Sequence, residues 1–289
     1  MSEAQSIQWF PGHMTKTKRK IEESLKLVDV VAEIIDARIP VSSRNPVLSN
    51  LIQNKPRVIL MNKCDMADST QTSRWISYYK SKGIPAIPID CRSGRGLNNF
   101  IPLVKSVLSD RIAAWEAKGM VCRQIRIMVV GIPNVGKSSL INKLSNSSKA
   151  NVEDRPGVTR ANQWFTIGKG IDLLDTPGVL WPKFEDKLVG ERLAFTGAVK
   201  DDVIDTQQLA GRLLEMLRDS YPTAMKQRYK LENTDLSGLK GYELLELTGR
   251  KRGMLISGGE IDTERASIMV LDEFRSAMLG RITLEQVGK

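Results

Sequence analysis

Short aliphatic and β-branched runs alternate with amphipathic stretches through the first two thirds of the chain. The apolar runs, which are typical of buried parallel strands, cover residues 30–36, 58–61, 125–130 and, more weakly, 86–89. Two further runs flank a glycine pair in the pattern of a hairpin, at residues 163–167 and 171–174. Helical periodicity fills the intervals at residues 14–27, 70–82, 97–117 and 137–146. This alternation predicts an α/β domain, a mostly parallel sheet flanked by helices.

The pattern changes beyond about residue 200, where only helical periodicity remains. Apolar residues recur at core spacing, at Leu209, Leu213, Leu214 and Leu217 and again at Ile268, Leu271, Phe274 and Met278. Gly280 is placed where a glycine would cap the last helix. We therefore expect two domains, an α/β domain over residues 1–200 and a small all-helical domain over residues 201–289.

A glycine-containing loop, Gly131-Ile-Pro-Asn-Val-Gly-Lys-Ser138, lies between an apolar run and a helical stretch, as a phosphate-binding P-loop does. In such loops backbone N–H groups surround the phosphates, a lysine neutralises their oxygens and a hydroxyl binds Mg²⁺. The last two roles fall to Lys137 and Ser138. The nucleotide contacts predicted here are Asn134, Val135, Gly136, Lys137, Ser138 and Ser139.

A second motif, Asp175-Thr-Pro-Gly178, follows an apolar run of its own. An aspartate in this position binds Mg²⁺ and a glycine N–H contacts the γ-phosphate, which assigns these roles to Asp175 and Gly178. Thr159 lies between the P-loop and Asp175, as expected of a switch threonine on the same Mg²⁺. An ordinary turn threonine is the alternative for Thr159.

The tetrad Asn62-Lys63-Cys64-Asp65 predicts selection of guanine, because an aspartate can pair with the N1–H and 2-amino groups of that base. Asp90 and Cys91 occupy the place of the loop whose backbone contacts the guanine oxygen, although their side chains match that loop poorly. An ATP-dependent kinase built on the same P-loop is the alternative, and the tetrad argues against it. The predicted ligands are GTP and GDP.

The tetrad precedes the P-loop, which is the reverse of the order in most GTPases. A nucleotide site in an open parallel sheet is assembled from loops at the carboxyl ends of several strands, so strand adjacency matters and chain order does not. The sequence therefore predicts a circularly permuted P-loop GTPase domain followed by the helical domain.

Charge and composition indicate the kind of partner and the cellular compartment. The chain carries 43 Lys and Arg against 33 Asp and Glu, a net charge of +10 that favours polyanionic partners. Basic residues cluster at Lys16, Lys18, Arg19 and Lys20 and at Arg250, Lys251 and Arg252; solvated helix faces are the alternative reading of these clusters. The three cysteines lack metal-ligand spacing, and no targeting or membrane-spanning segment is evident, so we expect a cytoplasmic protein with no membrane partner.

Four motifs together resemble the RbgA (YlqF) family of bacterial ribosome-biogenesis GTPases. They are the P-loop, Gln8-Trp-Phe-Pro-Gly-His-Met14, Asp36-Ala-Arg-Ile-Pro40 with Ser42-Ser-Arg-Asn-Pro46, and Leu180-Trp-Pro-Lys-Phe-Glu-Asp186. The resemblance implies a GTPase that binds rRNA and ribosomal proteins of the large (50S) subunit precursor, acts late in its assembly and leaves after hydrolysis. It also implies RNA contact by the helical domain and a monomer off the ribosome. A nucleotide-regulated module acting on a protein partner is the alternative.

Val179 follows Gly178, where Ras-like enzymes carry the glutamine that orients the attacking water. An apolar side chain cannot do this, so the catalytic group must come from elsewhere. One candidate is His13, the only histidine, for which the resemblance implies a catalytic role and a structural role in the Pro11-Gly12 turn is the alternative. The other is a K⁺ ion held by Asn134, which similar GTPases carry at this position; a local hydrogen bond is the alternative for Asn134.

Overall fold

A computed structural model describes residues 14–52, 55–120, 123–145, 163–167, 170–176, 178, 186–199 and 205–288. Two compact units divide the chain. The first comprises Met1–Glu185 together with Glu285–Lys289, and the second comprises Asp186–Leu284. The predicted boundary between residues 200 and 201 lies outside the described residues.

The first unit is built on one six-stranded sheet. Its strands are β1 Val30–Asp36, β2 Arg57–Asn62, β3 Ala86–Pro88, β4 Ile125–Val130, β5 Gln163–Thr166 and β6 Ile171–Asp175. They lie in the order β3-β2-β1-β4-β6-β5, and all neighbouring pairs are parallel except β5 with β6. The predicted α/β sheet and its hairpin are confirmed, and the spatial order sets the guanine, P-loop and Asp175 strands within one sheet despite their permuted chain order.

Helices cover the sheet because its central strands are apolar on both sides; all seven residues of β1 are buried. The helices are α1 Met14–Leu25, α2 Pro46–Leu51, α3 Ser69–Ser81, α4 Phe100–Val107, α5 Ser109–Ala117 and α6 Lys137–Ser145, with a 3-10 turn at Leu97–Asn99. Helix α1 packs Ile21 and Leu25 with Met128 and Leu174 of the sheet. Helix α3 packs Trp75 and Tyr79 with Ile59, Met61 and other sheet residues.

The second unit is helical, as predicted for the C-terminal part. Its helices are α7 Lys187–Phe195, α8 Thr206–Ser220, α9 Pro222–Tyr229, α10 Gly241–Lys251 and α11 Thr263–Arg275. Helix α8 packs against each of the other four. Its Gly211 meets Gly241 of α10 so closely that a Cβ on Gly211 would lie 2.9 Å from the Gly241 carbonyl carbon. Small residues at this crossing let the two helix backbones touch.

Candidate nucleotide site

Asn62 connects three of the predicted site segments. It ends β2, is 3% exposed, and donates from Nδ2 to the carbonyl oxygen of Val135 in the P-loop at 2.7 Å. Its Oδ1 accepts from the backbone N–H of Cys91 at 2.9 Å. The first residue of the guanine tetrad is thus a buried bracket between the P-loop and the Asp90–Cys91 loop, two segments far apart in the chain.

The P-loop has the tight backbone that its glycines predict. Gly136 lies at φ 107°, and a Cβ on it would come within 2.2 Å of Asn62 Nδ2. A Cβ on Gly131 would lie 2.6 Å from the Ile34 carbonyl oxygen of the adjacent strand. Asn134 also adopts a left-handed conformation, with φ 57°. The P-loop backbone therefore packs closely against β1 and Asn62. Phosphate binding by backbone N–H groups requires such a backbone, free of bulky side chains at its glycines.

Lys137, the first residue of α6, lies under this loop. Its Nζ donates to the carbonyl oxygens of Ile132 at 2.8 Å and Gly131 at 3.2 Å, and the residue is 7% exposed. Burial lowers the pKa of Lys137 to about 8, although the charge of Asp175 raises it. A cation held in a buried position beside backbone carbonyls would be stabilised by a polyphosphate.

The Asp175 segment lies against the P-loop. Asp175 ends β6 and is buried, and Thr176 Oγ1 donates to the Val129 carbonyl oxygen at 2.7 Å. A Cβ on Gly178 would lie 2.8 Å from Lys137 Nζ and 2.9 Å from Pro133 Cα. Ser138 and Ser139 begin α6 and are half-buried. The structure thus brings Asp175, Gly178 and the P-loop residues together.

Lys63, the next residue of the tetrad, pairs with a buried carboxylate. Its backbone is left-handed, with φ 60°, and its Nζ lies 3.1 Å from Asp36 Oδ2 at the carboxyl end of β1. Arg38 holds the same carboxylate through two bonds, from Nε at 3.0 Å and NH2 at 2.8 Å. Burial raises the pKa of Asp36, but the charges of Arg38 and Lys63 and their hydrogen bonds outweigh it and hold the pKa well below its usual range.

The Asp90–Cys91 loop is shaped by its own polar groups. Asp90 accepts from the Ser93 hydroxyl and, at 2.8 Å, from the Arg92 N–H. These bonds outweigh burial and lower the pKa of Asp90. Burial and the charge of Asp90 raise the pKa of the Cys91 thiol to about 12, so it stays neutral. Both side chains face the protein, which leaves the backbone as the part of this loop that can meet a base.

The remaining predicted residues do not take part in the contacts above. His13 and Thr159 lie outside the described residues, as does Val179. Cys64 is buried, and Asp65 follows it in the loop after β2. Arg44, which the sequence left unassigned, pairs with buried Glu33 through Nε at 3.0 Å and NH2 at 2.9 Å. The motifs did not identify Asp36 as the ion-pair partner of Lys63, or Arg38 as the second cation on that carboxylate, although Asp36 ends a predicted strand.

Comparisons with known proteins agree with this geometry. A family model described as "50S ribosome-binding GTPase" matches residues 126–234, which begin at the P-loop strand and exclude the earlier tetrad. The chain is 47% identical to ribosome biogenesis GTPase A of Bacillus licheniformis over 97% of this chain and 98% of that relative. It is 48% identical to the Bacillus cereus protein of the same name, over 96% and 93%. This chain belongs to the ribosome biogenesis GTPase A family.

Solved structures of this family show the same fold. A GDP-bound structure of YlqF from Thermotoga maritima is 28% identical, covers 94% of this chain and all of its own, and aligns with a TM-score of 0.66. A GNP-bound crystal structure of YlqF from T. maritima is 29% identical, with 94% and 98% coverage and a TM-score of 0.65. The permuted GTPase fold with a helical C-terminal region is thereby confirmed, and the chain is a guanine-nucleotide-binding GTPase that hydrolyses GTP.

Proposed function

We propose that this GTPase binds the precursor of the large (50S) ribosomal subunit, promotes a late step of its assembly, and hydrolyses GTP when the ribosome stimulates it. The observation that carries the proposal is the Asn62 bracket, which assembles a guanine-type site from segments on either side of the permutation. The names of its relatives point to ribosome assembly as the process in which this site works.

Guanine nucleotide and Mg²⁺ fit the residues present. Mg²⁺ prefers oxygen ligands and usually takes one or two from protein while phosphates and water supply the rest. Ser138 and Asp175 offer a hydroxyl and a carboxylate on adjoining segments. Within the described ranges no group of three or more His, Cys, Asp or Glu side chains is placed to hold a metal by itself, which suits an ion shared with a nucleotide. Thr159 is proposed to complete this shell.

Partner control of hydrolysis follows from the missing glutamine. With Val179 after Gly178, the protein lacks the side chain that orients water in Ras-like enzymes, and slow basal hydrolysis is expected. His13 is proposed to orient the attacking water once the partner is bound. A K⁺ ion beside Asn134 is proposed to neutralise charge between phosphates in place of an arginine finger.

RNA contact is proposed for the basic surfaces. Lys18, Arg19 and Lys20 are exposed on α1. Arg250, Lys251 and Arg252 are exposed at the end of α10, although Arg252 also reaches Glu273 at 3.1 Å. With a net charge of +10, binding to rRNA phosphates should weaken steeply as salt rises. We further propose that the protein works in the cytoplasm and is a monomer off the ribosome. In the described part of the chain, no helix has the length and apolar character to cross a bilayer.

Co-sedimentation with purified subunits tests the proposal. The protein is mixed with large or small ribosomal subunits in the presence of a GTP analogue or of GDP, at low and at high salt. We expect it to pellet with large subunits in the GTP analogue at low salt, and to be released by GDP or by high salt. Equal pelleting with small subunits, or none with either, would reject the 50S precursor and favour a protein partner.

A further inference from the structure

The last residues of the chain belong to the nucleotide-binding unit, although 99 residues of the second unit, Asp186–Leu284, precede them. Glu285 is 4% exposed, and its carboxylate faces the loop that follows β1. It accepts from the backbone N–H of Val41, from that of Ser42 at 3.1 Å, and from the Ser42 hydroxyl. A charged side chain buried at the end of the chain thus has its partners 243 and 244 residues earlier.

These contacts complete the hydrogen bonds of one tight helical turn. The turn starts at Ile39, whose carbonyl oxygen accepts from the Ser43 N–H at 2.9 Å. The residues between have no internal partner for their N–H groups, as at any helix start. Pro40 has no N–H, and Val41 and Ser42 donate to Glu285. Removing Glu285 would therefore leave two backbone donors of this turn without their acceptor, one of them in Ser42, which is only 1% exposed.

The same turn supports the guanine side of the site. Ser43 Oγ accepts from the Asp36 N–H at 3.0 Å, and the Ala37 N–H donates to the Asn62 carbonyl oxygen at 2.8 Å. Asp36 then holds Lys63 of the tetrad at 3.1 Å. A continuous series of buried contacts runs from Glu285 through the turn to Lys63.

Helix α3 gives a second connection. The Trp75 indole N–H donates to the Glu285 carbonyl oxygen at 2.9 Å, and the Tyr79 hydroxyl donates to that of Pro40, also at 2.9 Å. Helix α3 begins at Ser69, only four residues after Asp65. Glu285 is therefore bound to the elements on both sides of the tetrad, the Asp36 loop before it and α3 after it.

We propose that Glu285 is a positioning residue for guanine recognition, one that holds Lys63 and Asp65 in register without touching the nucleotide. The inference rests on the proposed role of Asn62–Asp65 as the guanine loop. Contacts with the base are the same in the ground and transition states of hydrolysis, so a misplaced tetrad should weaken binding and leave the chemical step unchanged.

The test compares Glu285→Ala and Glu285→Gln with the parent, and uses Glu246→Ala, an exposed glutamate on α10, as the matched control. Binding of GDP and of IDP, which lacks the 2-amino group, is measured by titration well below the melting temperature. For Glu285→Ala we expect the GDP dissociation constant and the GTP KM to rise about tenfold, with kcat unchanged. The GDP-over-IDP preference should shrink, Glu285→Gln should recover part of the loss because one acceptor oxygen remains, and the control should match the parent.

A purely structural role would lower the melting temperature while leaving the affinities and the base preference of the folded protein intact, and that result would overturn the proposal. If Glu285→Ala does not fold, Trp75→Phe, which removes the donor to the Glu285 carbonyl along with part of a buried ring, must give the same shift in affinity and base preference in smaller size. The Asp65→Ala variant distinguishes a failure of the positioning role of Glu285 from a failure of the guanine-loop assignment. Loss of base preference in Asp65→Ala but not in the Glu285 variants would refute the positioning role alone, whereas retained preference in Asp65→Ala would refute the guanine-loop assignment.

Discussion

Asn62→Ala should damage both stability and nucleotide affinity, because it removes two buried hydrogen bonds at once. The Val135 carbonyl and the Cys91 N–H, which bond to Asn62 at 2.7 and 2.9 Å, lie in residues only 1% and 3% exposed, so solvent does not readily replace the lost partners. An unsatisfied buried donor or acceptor costs about 1–3 kcal/mol. Allowing for local relaxation, we expect a loss of about 3 kcal/mol in the free energy of unfolding of the nucleotide-binding unit.

A loss of that size lowers the melting temperature of a domain of 150–250 residues by roughly 6–12 °C. The affinity for GDP should fall about tenfold or more, since the P-loop and the Asp90–Cys91 loop are then no longer joined. Both quantities are measured by thermal denaturation and by titration with a fluorescent GDP analogue. Asn98→Ala, at an exposed asparagine beside the same loop, is the control. If Asn62→Ala resembles Asn98→Ala in both assays, the bracket does not hold the site together.

Three further predictions concern the P-loop and the missing catalytic group. Gly136→Ala should weaken GDP binding roughly a hundredfold, because its φ of 107° strains any other residue and its Cβ would lie 2.2 Å from Asn62 Nδ2; near-parent binding in a titration would contradict the loop geometry. The pKa of Lys137 falls from 10.5 to about 8 on folding. Between pH 8 and 10.5 the unfolded chain therefore binds more protons than the folded one. The unfolding free energy of the nucleotide-free protein should rise as the pH increases through this range. Lys137→Met should lack this rise in denaturant titrations at pH 8 and 10, and an identical rise in both proteins would refute the lowered pKa. His13→Ala should reduce the hydrolysis rate measured with large ribosomal subunits far more than the rate without them, and equal stimulated rates would exclude His13.

Much of the sheet could be predicted from the sequence. The bounds of β1 and β4 match the runs at residues 30–36 and 125–130, because strands buried on both faces appear in the sequence as mostly apolar runs, interrupted here only by Glu33, Asp36 and Arg126. The edge hairpin of β5 and β6 was equally visible, since a glycine-rich turn separated its two runs. The α/β class and the permuted order of the motifs followed from these strands.

Helix ends were harder to predict. The stretch at residues 97–117 was expected as one helix, but it consists of a 3-10 turn, α4 and α5, with a break at Leu108. Helix α5 buries no residue, so the helical periodicity over residues 97–117 did not reflect one continuous buried face. Helix α11 ends at Arg275, and Ala277, with φ 60°, takes the cap position predicted for Gly280, which has φ 95° three residues later. Local propensity at helix ends gave way here to the surrounding packing.

The residues of the site were likewise predictable only in part. Motif spacing was sufficient to collect the P-loop, Asp175 and the tetrad, because each follows a strand of one parallel sheet. Asp36 and Glu285 could not be found in this way. The partners of the Glu285 carboxylate lie more than 240 residues away, and a single glutamate near the end of a chain resembles any exposed one until the fold is known.

The most direct test of the central claim is GTP hydrolysis with and without purified large ribosomal subunits, in KCl and at two salt concentrations. We expect a stimulation of about 10² or more that is lost at high salt, because contact with rRNA phosphates must bring the catalytic group into place. Replacing KCl by NaCl should then lower the stimulated rate if Asn134 holds K⁺. Equal rates with and without subunits would leave a competent GTPase but remove the ribosome as its trigger.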